Sequence, residues 1–77
     1  MAKLPTHDEM AKAVMQHAEA HYERNGWDIV AETKTHEELI EMIKHMKCRT
    51  INGAINAVRE WAKSIDERRR EVQNEIF

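Results

Sequence analysis

The stretch Thr50–Phe77, TINGAINAVREWAKSIDERRREVQNEIF, sets the expected architecture of this chain. Its apolar residues recur at spacings of three and four, which is the period of an amphipathic α-helix. Thr50 suits the start of that helix, because its hydroxyl can accept a hydrogen bond from an amide one turn further on. The apolar stripe consists of Ile51, Ile55, Val58, Ala62 and Ile65, is widened by Ala54 and Trp61, and continues beyond Arg69 with Val72 and Ile76.

This predicted helix is long for a chain of 77 residues. At about 1.5 Å per residue it measures roughly 40 Å, whereas a compact globule of this chain length has a diameter near ~30 Å. Either the helix breaks, and the spacing of Ser64 and Glu67 has the form of a capping box, or its end extends beyond the globule. Neither Pro nor Gly occurs near Ser64, so we expect an unbroken helix.

A first helix is expected from His7 to about Arg24. Thr6 and Glu9 have the spacing of a capping box, and Asn25-Gly26 is a typical helix stop. The residues expected on the core face of this helix are Met10, Val14, Ala18 and Tyr22, with Ala11 and Met15 beside them.

The segment Trp27–Glu32 is ambiguous. The alternation of Trp27, Ile29 and Ala31 is typical of a strand, but a lone strand in a helical chain has no partner for its backbone hydrogen bonds. We favour a single helical turn capped by Asp28, with Trp27 inserted into the core. The alternative is a strand that pairs across a dimer.

A second long helix is expected to begin at His36, where Thr35 and Glu38 again have the spacing of a capping box, and to end near Lys47. Its expected buried face consists of Leu39, Ile40, Ile43 and Met46, with Met42 at the border. Short connections between the helices favour antiparallel packing. The sequence therefore predicts an all-α fold, a small three-helix bundle with a long C-terminal helix, in which residues 1–77 form a single helical domain.

Composition narrows the classes of function. The net charge is −2, with 34% charged residues of mixed sign, so the overall basic balance typical of proteins that neutralise phosphates is missing. The single Cys48 excludes an intramolecular disulfide. The sequence contains no apolar run long enough to span a bilayer and no leader of the signal-peptide type. We expect a cytoplasmic protein that does not bind membranes.

Four residues could form a metal or catalytic site. His17 and His21 stand four apart, the spacing at which two imidazoles on one helix can share an ion, and His45 and Cys48 stand three apart. We expect surface histidines instead, because His17 and His21 flank the apolar stripe. Cys48 is expected to fill a turn between helices, since a small bundle has little room for a catalytic cleft. The prediction is therefore no enzyme, no metal and no cofactor.

A second hypothesis is DNA binding. The segment His36–Trp61 reads as helix, short turn, helix, and the second helix presents Asn52, Asn56 and Arg59 outward. Lys63 is among the basic residues that could contact phosphates. Asn and Arg side chains read adenine and guanine edges in the major groove. Acidic residues interleave with the basic ones, however, so a helix-turn-helix-like transcriptional regulator is the alternative and not the first choice.

The charged C-terminal end favours a protein interface. Arg69 falls on the apolar stripe, and apolar residues resume beyond it. An arginine among apolar residues on an extended helix has the composition of an interface anchor. The residues predicted to bind a partner are Arg69, Arg70, Val72, Ile76 and Phe77. Because nothing else in the chain is left to cover these apolar residues, we also expect a homodimer.

The segments Tyr22–Glu32 and Asp66–Phe77 together resemble short uncharacterised proteins carried by bacteriophages and prophages. The resemblance covers about a third of the chain and carries no motif of known chemistry, so it assigns no functional residue. It implies a context in which small proteins act by docking on a host protein, including inhibitors of bacterial defence systems. The first hypothesis is therefore a non-enzymatic protein-binding module, a phage-encoded inhibitor or regulator of a host protein.

Overall fold

The computed structural model describes the backbone of residues 4–75 and the side chains of residues 4–69 and 71. Within that range the chain is all-α and contains no strand, which confirms the predicted fold class. Its helices are α1 (His7–Ala20), α2 (Trp27–Thr33), α3 (His36–Met46) and α4 (Ile51–Glu75). The three long helices are those expected from the sequence, and α2 is the short helical element that was preferred over a strand.

Local capping hydrogen bonds fix where the long helices begin. The Thr6 hydroxyl accepts from the Glu9 amide at 3.1 Å, and the Thr50 hydroxyl accepts from the Gly53 amide at 2.9 Å. At α3 the capping box is complete, because Glu38 also accepts from the Thr35 amide at 3.0 Å. These bonds satisfy amides that have no partner inside the helix. The starting residues predicted for the three long helices are therefore confirmed.

The end predicted for α1 is wrong. The helix ends at Ala20 with His21 as its C-cap, and residues 21–26 form consecutive turns. The predicted core residue Tyr22 lies in these turns, is 41% exposed and donates its hydroxyl hydrogen bond to Glu32. The earlier end allows the chain to reverse and place Trp27, which is 1% exposed, in the core.

The start of α2 also differs from the prediction. Its N-cap is Gly26, with a φ of 80° and no side-chain capping bond. Asp28 lies inside the first turn and faces Arg69 of α4 instead of capping the helix. The prediction that Asp28 caps this segment is therefore wrong, because the helix begins before it and Gly26 occupies the N-cap position.

The core lies where α1 meets the other three helices, each of which it contacts. No polar or charged side chain is buried in the described part of the chain. The buried core residues are Met10, Ala11, Val14, Ala18, Trp27, Ile29, Val30, Leu39, Ile43, Ala54, Val58 and Ala62.

The long helix α4 is continuous through Ser64, as predicted. Among the described side chains of α4, the buried ones are Ala54, Val58 and Ala62, whereas Ile51, expected on the core stripe, is 39% exposed. Ile51 is exposed because α4 turns its Ala54 side towards the bundle at its first turn. The Cα radius of gyration is 13.5 Å, above the roughly 11.5 Å of a compact chain of this length. The fold is therefore elongated along α4.

Candidate binding surfaces

A broad groove lies between α3 and α4. Its apolar floor consists of Met42, Met46 and Trp61, all half-buried. Lys34, just before α3, lies over the Trp61 ring with its ammonium nitrogen 5.1 Å from the ring centroid, which is a cation–π distance. The groove measures about 970 Å³ and is open to solvent. Such a surface suits a protein segment better than a small molecule, which needs enclosure.

The charges along the rim of this groove are segregated. Glu37, Glu38 and Glu41 lie towards the start of α3, and Lys44 and His45 towards its end. Glu41 is 3.7 Å from Lys44. Hydrogen bonds from the amide and the hydroxyl of Thr35 lower the pKa of Glu38. Sequence reasoning missed the groove, although it placed Met42 at a border and Trp61 on a flank of their stripes.

The second surface is the distal part of α4, where only Arg69 of the predicted partner-binding residues has a described side chain. Its guanidinium donates to Asp66 at 2.6 Å and to Asp28 of α2 at 3.4 Å. The hydrogen bond to Asp66, with the contribution of Asp28, raises the pKa of Arg69. Arg69 thus connects α4 to α2 within the chain, while its side chain remains 48% exposed.

The structure does not describe the side chains of the other predicted partner-binding residues. The side chains of Arg70 and Val72 lie outside the described part of the structure, as do Ile76 and Phe77 altogether. The described backbone of α4 continues through positions 70 and 72 to Glu75. Their role in binding a partner stays a prediction.

The third surface is the outer face of α4. Asn52, Asn56 and Lys63 are exposed there, and Arg59 is half-buried at its edge. The Arg59 guanidinium donates to the Asn56 side-chain carbonyl at 2.8 Å. Glu60 is also exposed on this helix. The structure therefore brings the four residues of the DNA-binding hypothesis to one side of α4, together with an acidic neighbour.

Two of the histidines of the metal hypothesis lie close together. His17 and His21 have ring centroids 4.3 Å apart, and the His17 ring also packs edge-on against Trp27 at 4.8 Å. In the described part of the chain, no three metal-ligating side chains converge. Desolvation, with contributions from His21 and Arg59, lowers the pKa of His17.

Cys48 follows α3 and is half-buried. Its amide donates to the Ile43 carbonyl at 3.2 Å, so the residue closes the end of α3. Burial raises the pKa of the Cys48 thiol. Because the thiolate is the nucleophile, a raised pKa makes this cysteine less reactive at neutral pH.

Comparisons of the chain with protein-family models, curated proteins and solved structures give no match. Across the part of the chain that the structure describes, no helix has both the length and the apolar character needed to cross a bilayer. The helix with sufficient length, α4, is rich in charged residues.

Proposed function

We propose that this chain is a non-enzymatic protein-binding module, a phage-encoded inhibitor or regulator that docks on a bacterial host protein through distal α4. The observation that supports the proposal is the length of α4 relative to the rest of the bundle. With 25 residues, α4 spans about 37 Å. The 14 residues of α1 and the 11 of α3 span only about 21 Å and 16 Å.

The contacts of α4 indicate which part is available for a partner. Among the described residues, the last one of α4 that is fully buried is Ala62, and Arg69 contacts Asp28 two turns later. The helix then continues for six residues, to Glu75, which adds about 9 Å. We call residues 70–75 the α4 arm. Glu71, the arm residue whose side chain is described, is exposed.

The sequence of the arm and of the residues that follow suits a protein interface. Val72 and Ile76 keep the three-and-four spacing from Arg69, so a continuing helix places them on one face. Arg70 adds an arginine, a type frequent among the side chains that dominate binding energy, and Phe77 adds an aromatic residue, a type enriched at interfaces.

The test compares two charge substitutions on the arm. A tagged chain captures its partner from bacterial lysate, and the affinity of the purified pair is then measured for Val72→Asp and Asn74→Asp. These two positions lie on opposite faces of a helix and gain the same charge. We expect Val72→Asp to weaken binding at least ~100-fold, because an unpaired carboxylate is costly at an apolar interface, and Asn74→Asp to bind nearly as tightly as the wild type.

Equal binding by the wild type and Val72→Asp would refute docking through this face of the arm. Arg69 is less suitable as a probe. Its substitution by Glu would bring a third carboxylate to Asp28 and Asp66, so it would also disturb the contact between α2 and α4.

The second candidate function, DNA binding, is favoured by the common face of Asn52, Asn56, Arg59 and Lys63. It makes a different prediction in solution. Affinity for duplex DNA should fall steeply with salt, because neutralised phosphates release counterions, and Asn56→Ala or Arg59→Ala should remove sequence preference. We expect no such binding. Sequence-selective duplex binding that persists in Val72→Asp would replace the first proposal by this one.

A further inference from the structure

The outer side of α3 carries opposite charges at its two ends. Glu37 and Glu41 lie in its first half, and Lys44 and the C-cap residue Lys47 lie at its end. All four side chains are exposed. Along the helix axis Met42 lies between the two groups, but around the helix it is at least a quarter turn away from them, on the side of α3 that faces the groove beside Trp61.

This arrangement is complementary to itself when two copies of α3 run antiparallel. In a two-fold dimer each contact occurs twice, with the roles of the residues exchanged. The midpoint between positions 37 and 47 is 42, and the midpoint between 41 and 44 lies within one residue of it. A two-fold axis near Met42 therefore places Glu41 opposite the partner's Lys44 and Glu37 opposite the partner's Lys47.

The apolar groove beside the row of charges is suited to being covered by the same second copy. Met42, Met46 and Trp61 are half-buried rather than buried, so a second molecule can remove further apolar area from water. Methionine side chains are flexible and adapt to the surface that packs on them. The groove is open along α3, which leaves room for another helix.

We propose that this α3 surface binds a second copy of the chain, forming an antiparallel two-fold dimer centred near Met42. The second copy is the occupant because its charges match at both ends. This dimer uses a surface different from the α4 arm. The dimer can therefore be tested independently of the proposed docking on a host protein.

The experiment reverses the charges at each end of α3 separately. Glu37→Lys with Glu41→Lys makes positions 37, 41, 44 and 47 all basic, and Lys44→Glu with Lys47→Glu makes the same four positions all acidic. Sedimentation equilibrium of the full chain measures the dimer dissociation constant at low and high salt. Each double variant turns four contacts from attraction to repulsion, so we expect the Kd to rise at least ~10-fold. An equimolar mixture should recover a dimer containing one of each variant, since the charges are again opposite at both ends.

Two control variants carry the same changes in net charge on exposed residues elsewhere. These are Glu19→Lys with Glu60→Lys, and Lys12→Glu with Lys63→Glu. Both should dimerise like the wild type. Val72→Asp should also leave the dimer intact, which separates this surface from the α4 arm. The Glu38 side chain is left unchanged because it caps α3.

Recovery of the dimer in the mixture supports the proposal and shows that both variants are folded. A wild-type chain that is monomeric up to millimolar concentration would overturn it. So would a dimer unaffected by the reversals, a mixture that fails to recover association, or a dimer that dissociates in Val72→Asp alone.

Discussion

Substituting Gly26, in the turn between α1 and α2, by Ala should strongly destabilise the fold. Gly26 has a φ of 80°, a left-handed conformation that costs an L-residue about 1–2 kcal/mol. A Cβ at this position would also lie 2.5 Å from the carbonyl oxygen of Ala62 and 3.0 Å from its carbonyl carbon. Both are backbone atoms of α4, so no side-chain rotation can relieve the overlap.

The steric contact adds to the conformational cost. Moving α2 away from α4 would disturb Trp27, the largest fully buried side chain among the described residues. Overpacking of this kind costs about 1–3 kcal/mol, so the total expected for Gly26→Ala is about 2–5 kcal/mol. A chain of 77 residues is stable by roughly 4–12 kcal/mol. The substitution therefore removes a large fraction of the free energy of unfolding.

Urea unfolding followed by far-ultraviolet circular dichroism measures this loss. The matched control is Asn25→Ala, since Asn25 also has a positive φ, 53°, but is exposed. Asn25→Ala should cost only the free energy of placing alanine in the left-handed conformation, about 1 kcal/mol. If Gly26→Ala costs no more than Asn25→Ala, then α2 does not approach the backbone of α4 as closely as the structure shows.

Two further predictions concern stability. Because the pKa of His17 is lowered in the folded chain, the unfolded chain binds more protons near pH 6, so stability should fall as the pH drops below about 6.5, the ordinary histidine pKa. His17 faces His21, Arg59 and Trp27. The difference between the urea midpoints at pH 7.5 and pH 5.5 should be smaller in His17→Gln than in the wild type. An unchanged difference would show that His17 does not cause the loss of stability at low pH. Thr35→Ala removes the hydroxyl that accepts from the Glu38 amide and should cost about 1 kcal/mol, whereas Thr35→Ser should cost little, and equal losses in both would contradict a capping role.

Charge segregation along α3 is visible in the sequence, but the groove beside it is not. Met42 appeared only as a border residue and Trp61 only as a flank of the long helix. Their common groove arises because α3 and α4 both pack on α1 and leave a gap between themselves. That gap depends on the angles at which the helices cross, and the apolar period of each helix carries no information about such angles.

The sequence by itself determined the starts of the three long helices, the continuity of α4 and the burial of Trp27. A helix start depends on hydrogen bonds between residues three positions apart, as at Thr35 and Glu38, and such bonds follow from a few neighbouring residues. Tertiary structure alone decided the early end of α1, the exposure of Tyr22 and the pairing of Asp28 with Arg69, which lie 41 residues apart. Contacts at that separation depend on how whole helices pack, so the propensity of a local segment cannot specify them.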